Sequence, residues 1–275
     1  MTKPLALFKI GGDVLLSEDQ YQGLAENLHD LREAGWNVII LHGGGPQVNA
    51  LQDSLGIKPN KVAGRRITSE SDLNQVLQAI AGEVNVKLTN ILLNHDIPAL
   101  GTHGASNIIH AKKRPPIAVS GVEGLVDFGS VGDVCDINAQ LLFDLIDIDL
   151  VPVIATLARD KQGNLFNINA DTTAVAIAKA LQVDILAMIT AVGGIYRDIE
   201  DSNSLINTID RETAEKLIEE QVITDGMIPK VQEALSVVDH GVGQVLITSL
   251  SRKGNMKSLL RNSNDYNLGT RIITH

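Results

Sequence analysis

The sequence predicts an α/β protein built on a mainly parallel sheet, and three observations carry that prediction. Short β-branched runs such as Asn37-Val-Ile-Ile-Leu-His42, Val151-Pro-Val-Ile154 and Asp184-Ile-Leu-Ala-Met-Ile-Thr190 are apolar on both faces, as strands buried in a parallel sheet are. Between them lie segments whose apolar residues recur every three or four positions, the period of a helix. With 275 residues, 44% of them hydrophobic and 20% charged, the chain can fill two domains or one large α/β domain.

Composition also excludes classes. A formal net charge of -10 and only 3% aromatic residues fit neither a phosphate-backbone binder nor a base-stacking platform, so no nucleic-acid partner is expected. A single cysteine, Cys135, forms no internal disulfide, and no metal-ligand spacing surrounds it. No apolar run reaches membrane-spanning length and no signal peptide is evident, so the expectation is a cytoplasmic enzyme or binding protein without a membrane partner.

Taken in order, Leu5-Ala-Leu-Phe-Lys9-Ile10 reads as the first strand and runs into Gly11-Gly12. Ser17-Glu-Asp-Gln20 is a capping box; Tyr21, Leu24, Leu28 and Leu31 keep helical spacing until Gly35 ends the helix. The strand into His42 completes a βαβ unit, which should be parallel and right-handed. Gly43-Gly44-Gly45 follows, with Pro46 suited to the first position of a helix reaching about Gly56. Residues 61–66 read as extended. A long stripe of Leu73, Val76, Ile80, Val84, Leu88 and Ile91 predicts a helix over about 69–95, long enough to face both the core and a second subunit. Short strand-like pieces occupy 97–135, and Leu141, Leu142, Leu145 and Ile148 mark another helix. Asp160-Lys-Gln-Gly163-Asn is a hairpin turn; Leu165-Phe-Asn167-Ile-Asn169 leads into a small-residue helix through Leu181. After the strand over 184–190 come Gly193-Gly194, helices over 212–221 and 229–240, and a strand over 244–248. A domain boundary falls near 180, with a sheet that is free to continue across it.

Four features carry chemistry. Glycines 43–45 between strand and helix suit an anion held by bare backbone N–H groups, and equally a tight turn without ligand. Lys9 ends an apolar strand, so its ammonium either meets an anionic partner or snorkels out at the sheet edge. Lys230 follows Pro229 in the first turn of a helix, after the turn supplied by Asp225-Gly226. A cation there opposes the helix dipole unless an anion lies near; otherwise it is an exposed lysine. Asn167, Asn169 and Asp171 alternate, so in extended chain all three share a face towards one cleft, although Asn169 or Asp171 also suits a helix N-cap. The G-x-x-x-x-G-K-[ST] and G-x-G-x-x-G nucleotide motifs are absent.

Lys9-Ile-Gly11-Gly12, His42-Gly-Gly-Gly45, Gly64-Arg65-Arg66, Asn167-Ile-Asn169-Ala-Asp171 and Thr224-Asp-Gly-Met-Ile-Pro-Lys230 stand in the order found in the N-acetylglutamate kinases of the amino acid kinase family, which the whole chain resembles. The resemblance implies a three-layer αβα sandwich with a mainly parallel open central sheet. It implies an N-terminal lobe (1–180) for the acylated amino acid, a C-terminal lobe (181–275) for ATP, and a homodimer through the long helix. Gly44, Gly45, Arg66, Asn167 and Asn169 would then contact the small-molecule acceptor. Lys9 and Lys230 would flank the transferring phosphoryl group, with Asp171 orienting both. Gly11, Gly12, Ala191, Gly193, Gly194, Tyr196 and Thr224 would line the path of ATP, whose Mg2+ is held mainly by the phosphates and not by a protein metal site. The implied reaction is ATP-dependent phosphorylation of the γ-carboxylate of N-acetyl-L-glutamate, a step of arginine biosynthesis.

Two stretches depart from the family pattern. Where members usually read Thr-Asp-Val-x-Gly, this chain has Thr190-Ala191-Val192-Gly193-Gly194, which removes a carboxylate from the nucleotide side. Where members read Gly-Leu-Ser-Gly-Lys-Asp-Gly, it has Gly101-Thr-His-Gly104-Ala-Ser-Asn107, followed by Lys112-Lys113-Arg114. These three cations are either a solvated basic turn or partners for a second carboxylate, as on an N-succinyl acceptor. Carrier-linked 2-aminoadipate as acceptor, or a non-catalytic amino-acid sensor with this fold, are the remaining alternatives. Arginine-inhibited members carry a helix before the first strand; with that strand at about residue 5, an arginine-insensitive dimer is expected.

Overall fold

The computed structural model describes residues 3–16, 18–119, 121–224, 227–249 and 269–273. The Ser17 cap and the Asp225-Gly226 turn lie outside the described residues. β1 (Leu5–Ile10), α1 (Glu18–Glu33) and β2 (Asn37–His42) form the expected βαβ unit with parallel strands. α2 (Gly45–Ser54) begins at Gly45, so Pro46 is its second residue and not its first. The 61–66 segment is not one extended run. β3 (Lys61–Val62) and β4 (Arg65–Arg66) pair as a hairpin whose turn residues, Ala63 and Gly64, sit at positive φ, 46° and 75°.

The long helix is continuous but changes pitch. α3 (Glu70–Val76) starts on a reciprocal capping box between Ser69 and Asp72, a π-helical stretch covers Leu77–Val84, and α4 (Asn85–Asn94) completes it. The apolar spacing of three and four is shared by both helix types, so the widened turn left no sequence signal. There follow β5 (Ala99–His103), β6 (Ile109–Lys113), β7 (Ile117–Ala118), β8 (Leu125–Val126), β9 (Val131–Ile137), α5 (Ala139–Asp147), β10 (Val151–Ala155), β11 (Leu157–Arg159) and β12 (Leu165–Ile168). The C-terminal part adds α6 (Ala170–Leu181), β13 (Ile185–Ile189), β14 (Thr208–Ile209), α7 (Arg211–Glu219), α8 (Met227–Val238), β15 (Gln244–Thr248) and β16 (Gly269–Ile272).

Eight strands make the central sheet, in the order β14-β16-β15-β13-β1-β2-β10-β5. Every neighbouring pair is parallel except β15 with β16. β13 pairs directly with β1, so the sheet runs unbroken across residue 180. Helices cover both faces, giving the αβα sandwich. Ala6, Phe8 and Ile10 pack with Leu24 and Leu28 of α1 and Leu88 and Leu92 of α4. Leu5 and Leu7 point to the other face, into a core shared with Ile177 of α6, Leu217 of α7 and Val231 of α8. The small barrel of β6, β9, β12 and β11 was not foreseen. Its strands are too short and too poorly alternating to announce their pairing.

Candidate active site

Strand periodicity places the first functional residue. Side chains alternate across a strand, so Lys9 shares the Leu5 and Leu7 face and points towards α6 and α8. It is only 4% exposed, which rules out the snorkelling reading. Its Nζ lies 2.6 Å from Asp171 Oδ1 in the first turn of α6. A buried ammonium requires such a partner. The anion at Lys9 is therefore supplied by the protein itself.

Asp171 arrives there by a route the alternation argument missed. β12 stops at Ile168, so Asn167, Asn169 and Asp171 do not lie on one extended strand. Asn169 is the N-cap of α6, and its Oδ1 accepts from the backbone N–H groups of Asp171 (2.8 Å) and Thr172 (2.9 Å). That bond commits the Asn169 carbonyl to the helix. Asn167 donates through Nδ2 to Thr68 Oγ1 at 3.2 Å. All three nonetheless border one cleft of about 620 Å³, shared with Arg66, Arg114, Lys230 and Glu233.

The glycine turns lie at the Lys9 end. Gly43 N–H donates to Ile10 O at 3.1 Å, and Gly11 N–H to Ile189 O at 3.4 Å, which tie both turns to the ends of neighbouring strands. The turns touch each other. A Cβ at Gly12 would sit 2.7 Å from Pro46 Cδ and 3.0 Å from Gly44 Cα, and one at Gly44 would sit 3.0 Å from Ile80 Cγ1 in the π-helical stretch. No side chain fits between these backbones, so both positions require glycine. Gln47, which sequence reasoning did not single out, clamps the pair: its Nε2 donates to Gly12 O (3.0 Å) and Leu15 O (2.6 Å). Gly44 and Gly45, expected to contact the acceptor, do not line this cleft: Gly44 is buried against Ile80 and Gly45 is exposed.

Arg66 is oriented from behind. Its guanidinium donates to Gln52 Oε1 and Asn49 Oδ1 on α2, and Gln52 is in turn anchored to Asp72 at 2.7 Å. Burial pushes its pKa down from the usual arginine value while nearby Asp72 acts in the opposite sense. Arginine remains charged regardless. Of the basic run, Lys113 pairs with Asp127 at 3.2 Å, and Arg114 with Asp133 at 2.6 Å on the cleft wall.

Lys230 lies in the first turn of α8 and Glu233 one turn further on, on one helix face. Glu233 was overlooked, although its spacing of three from Lys230 was the available signal. Its carboxyl group is half-buried, and among the described residues Oε2 has no hydrogen-bond partner. Burial, and next the Asp171 charge, hold its pKa above the ordinary glutamate value, with Lys9 and Lys230 opposing. Among the described residues no cluster of three or more His, Cys, Asp or Glu side chains offers a metal cage.

A second cleft of about 560 Å³ lies on the other side of the α8 start, bounded by Val192, Gly194, Ile195, Tyr196, Thr224 and Met227 among others. It thus brings together three of the residues expected on the ATP path, Gly194, Tyr196 and Thr224. Ala191 and Gly193 are not part of its wall. Met227 faces this cleft and Pro229 and Lys230 the first, so the opening turn of α8 is a wall common to both.

Comparison with known proteins bears on the family and the fold. A model described as the amino acid kinase family matches residues 4–249. An acetylglutamate kinase of Anaeromyxobacter dehalogenans (strain 2CP-1 / ATCC BAA-258) is 40% identical over 92% of this chain and 94% of its own length. One from Methanopyrus kandleri is 38% identical over 90% of this chain and 95% of its own. Among solved structures, smu.665 from Streptococcus mutans UA159 superposes with a TM-score of 0.74 at 29% identity, covering 98% of both chains. Giardia carbamate kinase shares the fold, with a TM-score of 0.69 at 18% identity over 100% of both chains.

Proposed function

The chain belongs to the amino acid kinase family, and from that premise we propose that it transfers the γ-phosphoryl group of ATP to the γ-carboxylate of N-acetyl-L-glutamate. The product is an acyl phosphate, as in arginine biosynthesis. The observation that carries this reading is the buried Lys9–Asp171 pair at 2.6 Å, set beside the contacting glycine turns and facing the cleft that Lys230 enters from α8.

In this reading an acceptor carboxylate oxygen forms the new bond to the γ-phosphorus while the bond to the β-phosphate oxygen breaks, and ADP departs. A γ-carboxylate, which ordinarily titrates at about pH 4.3, is already ionised at neutral pH, so no general base is needed. The demand is instead for charge compensation between two anions. Lys9 and Lys230 meet it from the two sides, and the glycine N–H groups add preorganised dipoles. Asp171 holds the Lys9 ammonium in place. Arg66, steadied by Asn49 and Gln52, is disposed for the planar two-point pairing that an α-carboxylate allows.

Mg2+ would travel on the triphosphate, neutralising charge there. Asp171 is committed to Lys9, and among the described residues there is no three-ligand cage, which suits an ion held mostly by phosphates. The neighbouring cleft, with Tyr196, Thr224 and Met227, suits the nucleoside, giving an ATP lobe after residue 180 and an acceptor lobe before it.

Acetyl is favoured over succinyl because Arg114, the one member of the Lys112-Lys113-Arg114 run on the cleft wall, is already paired with Asp133. The enzyme in this reading is cytoplasmic; among the described residues no helix is long and apolar enough to cross a membrane. It is also a homodimer. Val86 (64% exposed) and Leu93 (50%) on α4, with Leu100 (38%) on the edge strand β5, leave an apolar face for a second copy. A hydroxamate assay for the acyl phosphate, run with N-acetyl- and N-succinyl-L-glutamate, tests the function. Formation of hydroxamate with the acetyl compound and little with the succinyl one is expected; equal or better turnover of the succinyl compound overturns the acceptor assignment, and no product with either overturns the reaction.

A further inference from the structure

His42 ends β2 directly before the glycine turn, and nothing above uses it. It is wholly buried (0% exposed), as is a polar partner on the long helix, Asn85, at 4%. Two contacts determine its chemical form. Its Nδ1 lies 2.9 Å from Gly43 O, and a carbonyl only accepts, so Nδ1 carries the hydrogen. Its Nε2 lies 2.9 Å from Asn85 Nδ2. That amide nitrogen also faces two backbone carbonyls, Thr102 O at 3.1 Å and Val153 O at 2.9 Å, which require a donor at that position. That nitrogen shares two hydrogens among three acceptors and, having no lone pair to offer, cannot accept from Nε2; Nε2 is therefore unprotonated and the ring is the neutral Nδ1–H tautomer. Burial agrees, lowering the pKa from 6.5 to about 4.

The consequence lies one peptide further on. In a trans peptide the C=O and N–H point in opposite directions, and the chain has no cis bond among the described residues. With Gly43 O drawn towards the buried imidazole, the Gly44 N–H of the same peptide points the other way, and no protein acceptor meets it among the described residues, although Gly44 is itself buried. We propose that His42 is a positioning residue: oriented by Asn85, it fixes the Gly43–Gly44 peptide so that the Gly44 N–H faces the transferring phosphoryl group. This rests on the phosphotransfer reading of the glycine turn. The long helix enters the argument as well, because Asn85 is the first residue after the π-helical stretch whose Ile80 packs on Gly44. Without His42 the peptide is free to rotate, and a donor preset for the transition state becomes one that must be ordered at each turnover.

Two measurements test this. On the unliganded wild-type protein, nitrogen-15 NMR of the His42 ring reads tautomer and titration whether or not the protein is a kinase. The Nδ1–H form without titration between pH 6 and 8 is expected; the Nε2–H form, or titration near the ordinary histidine value, overturns the proposal. In the assay, His42→Leu keeps the bulk and removes the donor, whereas His42→Asn places an amide N–H near the old Nδ1. His42→Leu should lower kcat by about tenfold to a hundredfold with both KM values within about threefold, and His42→Asn should recover most of the loss. A His42→Leu protein with kcat within about twofold of wild type sinks the proposal, as does a His42→Asn protein no better than His42→Leu. Absence of acyl phosphate from the wild type would instead refute the phosphotransfer reading and leave the NMR result standing.

Discussion

The two clefts on either side of the α8 start are close in size, about 620 and 560 Å³, and unlike in chemistry. The first is a charged site whose groups are held by other groups: Lys9 by Asp171, Arg66 by Asn49 and Gln52, Arg114 by Asp133. The second is bounded largely by Val192, Ile195, Tyr196, Ile199, Val222 and Met227, where shape does most of the selecting. Changes in the first should therefore act on turnover and on the stability of buried charge, and changes in the second on nucleotide affinity alone.

The largest effect is expected at Asp171. Asp171→Asn leaves the Lys9 ammonium, 5% exposed, without its counter-charge. Removing one partner of a buried ion pair costs about 3–5 kcal/mol, so thermal or urea unfolding should register a severe loss along with loss of turnover. Lys9→Ala and Lys230→Ala come next. Each removes a cation from the phosphoryl path, worth about 2.7–4 kcal/mol of barrier, so kcat should fall by about 10²–10³ with a modest change in the KM of the acceptor. Near-normal kcat in either variant would remove that lysine from the mechanism. Arg66→Lys is the acceptor-side control: an ammonium cannot reproduce the fork shared between Asn49, Gln52 and a carboxylate. Its signature is an acceptor KM raised by about tenfold or more with kcat retained, and an unchanged KM would break the assignment.

These predictions rest on residues that the sequence exposed to different degrees. The parallel sheet, the βαβ opening, the helix through Leu181 and the one read over 229–240, which forms as Met227–Val238, were legible because long apolar runs and helical stripes report burial directly. Lys9 was legible as an anomaly, a charge on a two-faced apolar strand, and its side of the sheet followed from alternation. What faced it was not legible in the residues themselves, because the Lys9–Asp171 pair joins positions far apart in sequence; only the family resemblance named Asp171. Gln47, Gln52 and Asn49 were invisible for a related reason: an amide on a helix looks the same whether it faces water or clamps a glycine turn. The Asn167-Ile-Asn169-Ala-Asp171 stretch misled in conformation, since an N-cap interrupts the strand, yet its members still meet at one cleft.

The pH dependence sets a buried group behind the glycine turn against one on the charged cleft. His42 is neutral and buried, with its pKa lowered from 6.5 to about 4. The unfolded chain then binds the extra proton first as pH falls, so stability present above pH 6.5 is lost on going down to about 4, by about 3 kcal/mol. Glu233 works in the opposite sense. Its raised pKa means the folded protein holds a proton that the unfolded chain has released above its ordinary value of 4.5. Stability associated with Glu233 therefore declines as pH rises through the folded value, and Glu233→Gln, which cannot ionise, should raise Tm at pH 7–8 and match wild type at pH 4. A lower Tm for Glu233→Gln at pH 8 would mean the carboxylate is a favourable partner of Lys9 and Lys230 and not a strained neighbour of Asp171.

The smallest effect belongs to the nucleotide side, at the position where the sequence departs most visibly from its family. By the family resemblance Ala191 stands where an aspartate is expected, and on sequence alone that change threatened nucleotide binding. The geometry lowers the stakes. Ala191 is exposed and lies outside the wall of the cleft proposed for the nucleotide, which begins at Val192. An aspartate there would stand in water at the rim, where a single screened charge contributes at most about 1 kcal/mol. Ala191→Asp should therefore change the KM of ATP by less than about fivefold and leave kcat alone. Tyr196→Ala, which strips a partly buried ring from the cleft itself, should raise that KM more than Ala191→Asp changes it. If the order is reversed, charge and not shape governs the second cleft, and the contrast between the two sites fails at the residue best placed to show it.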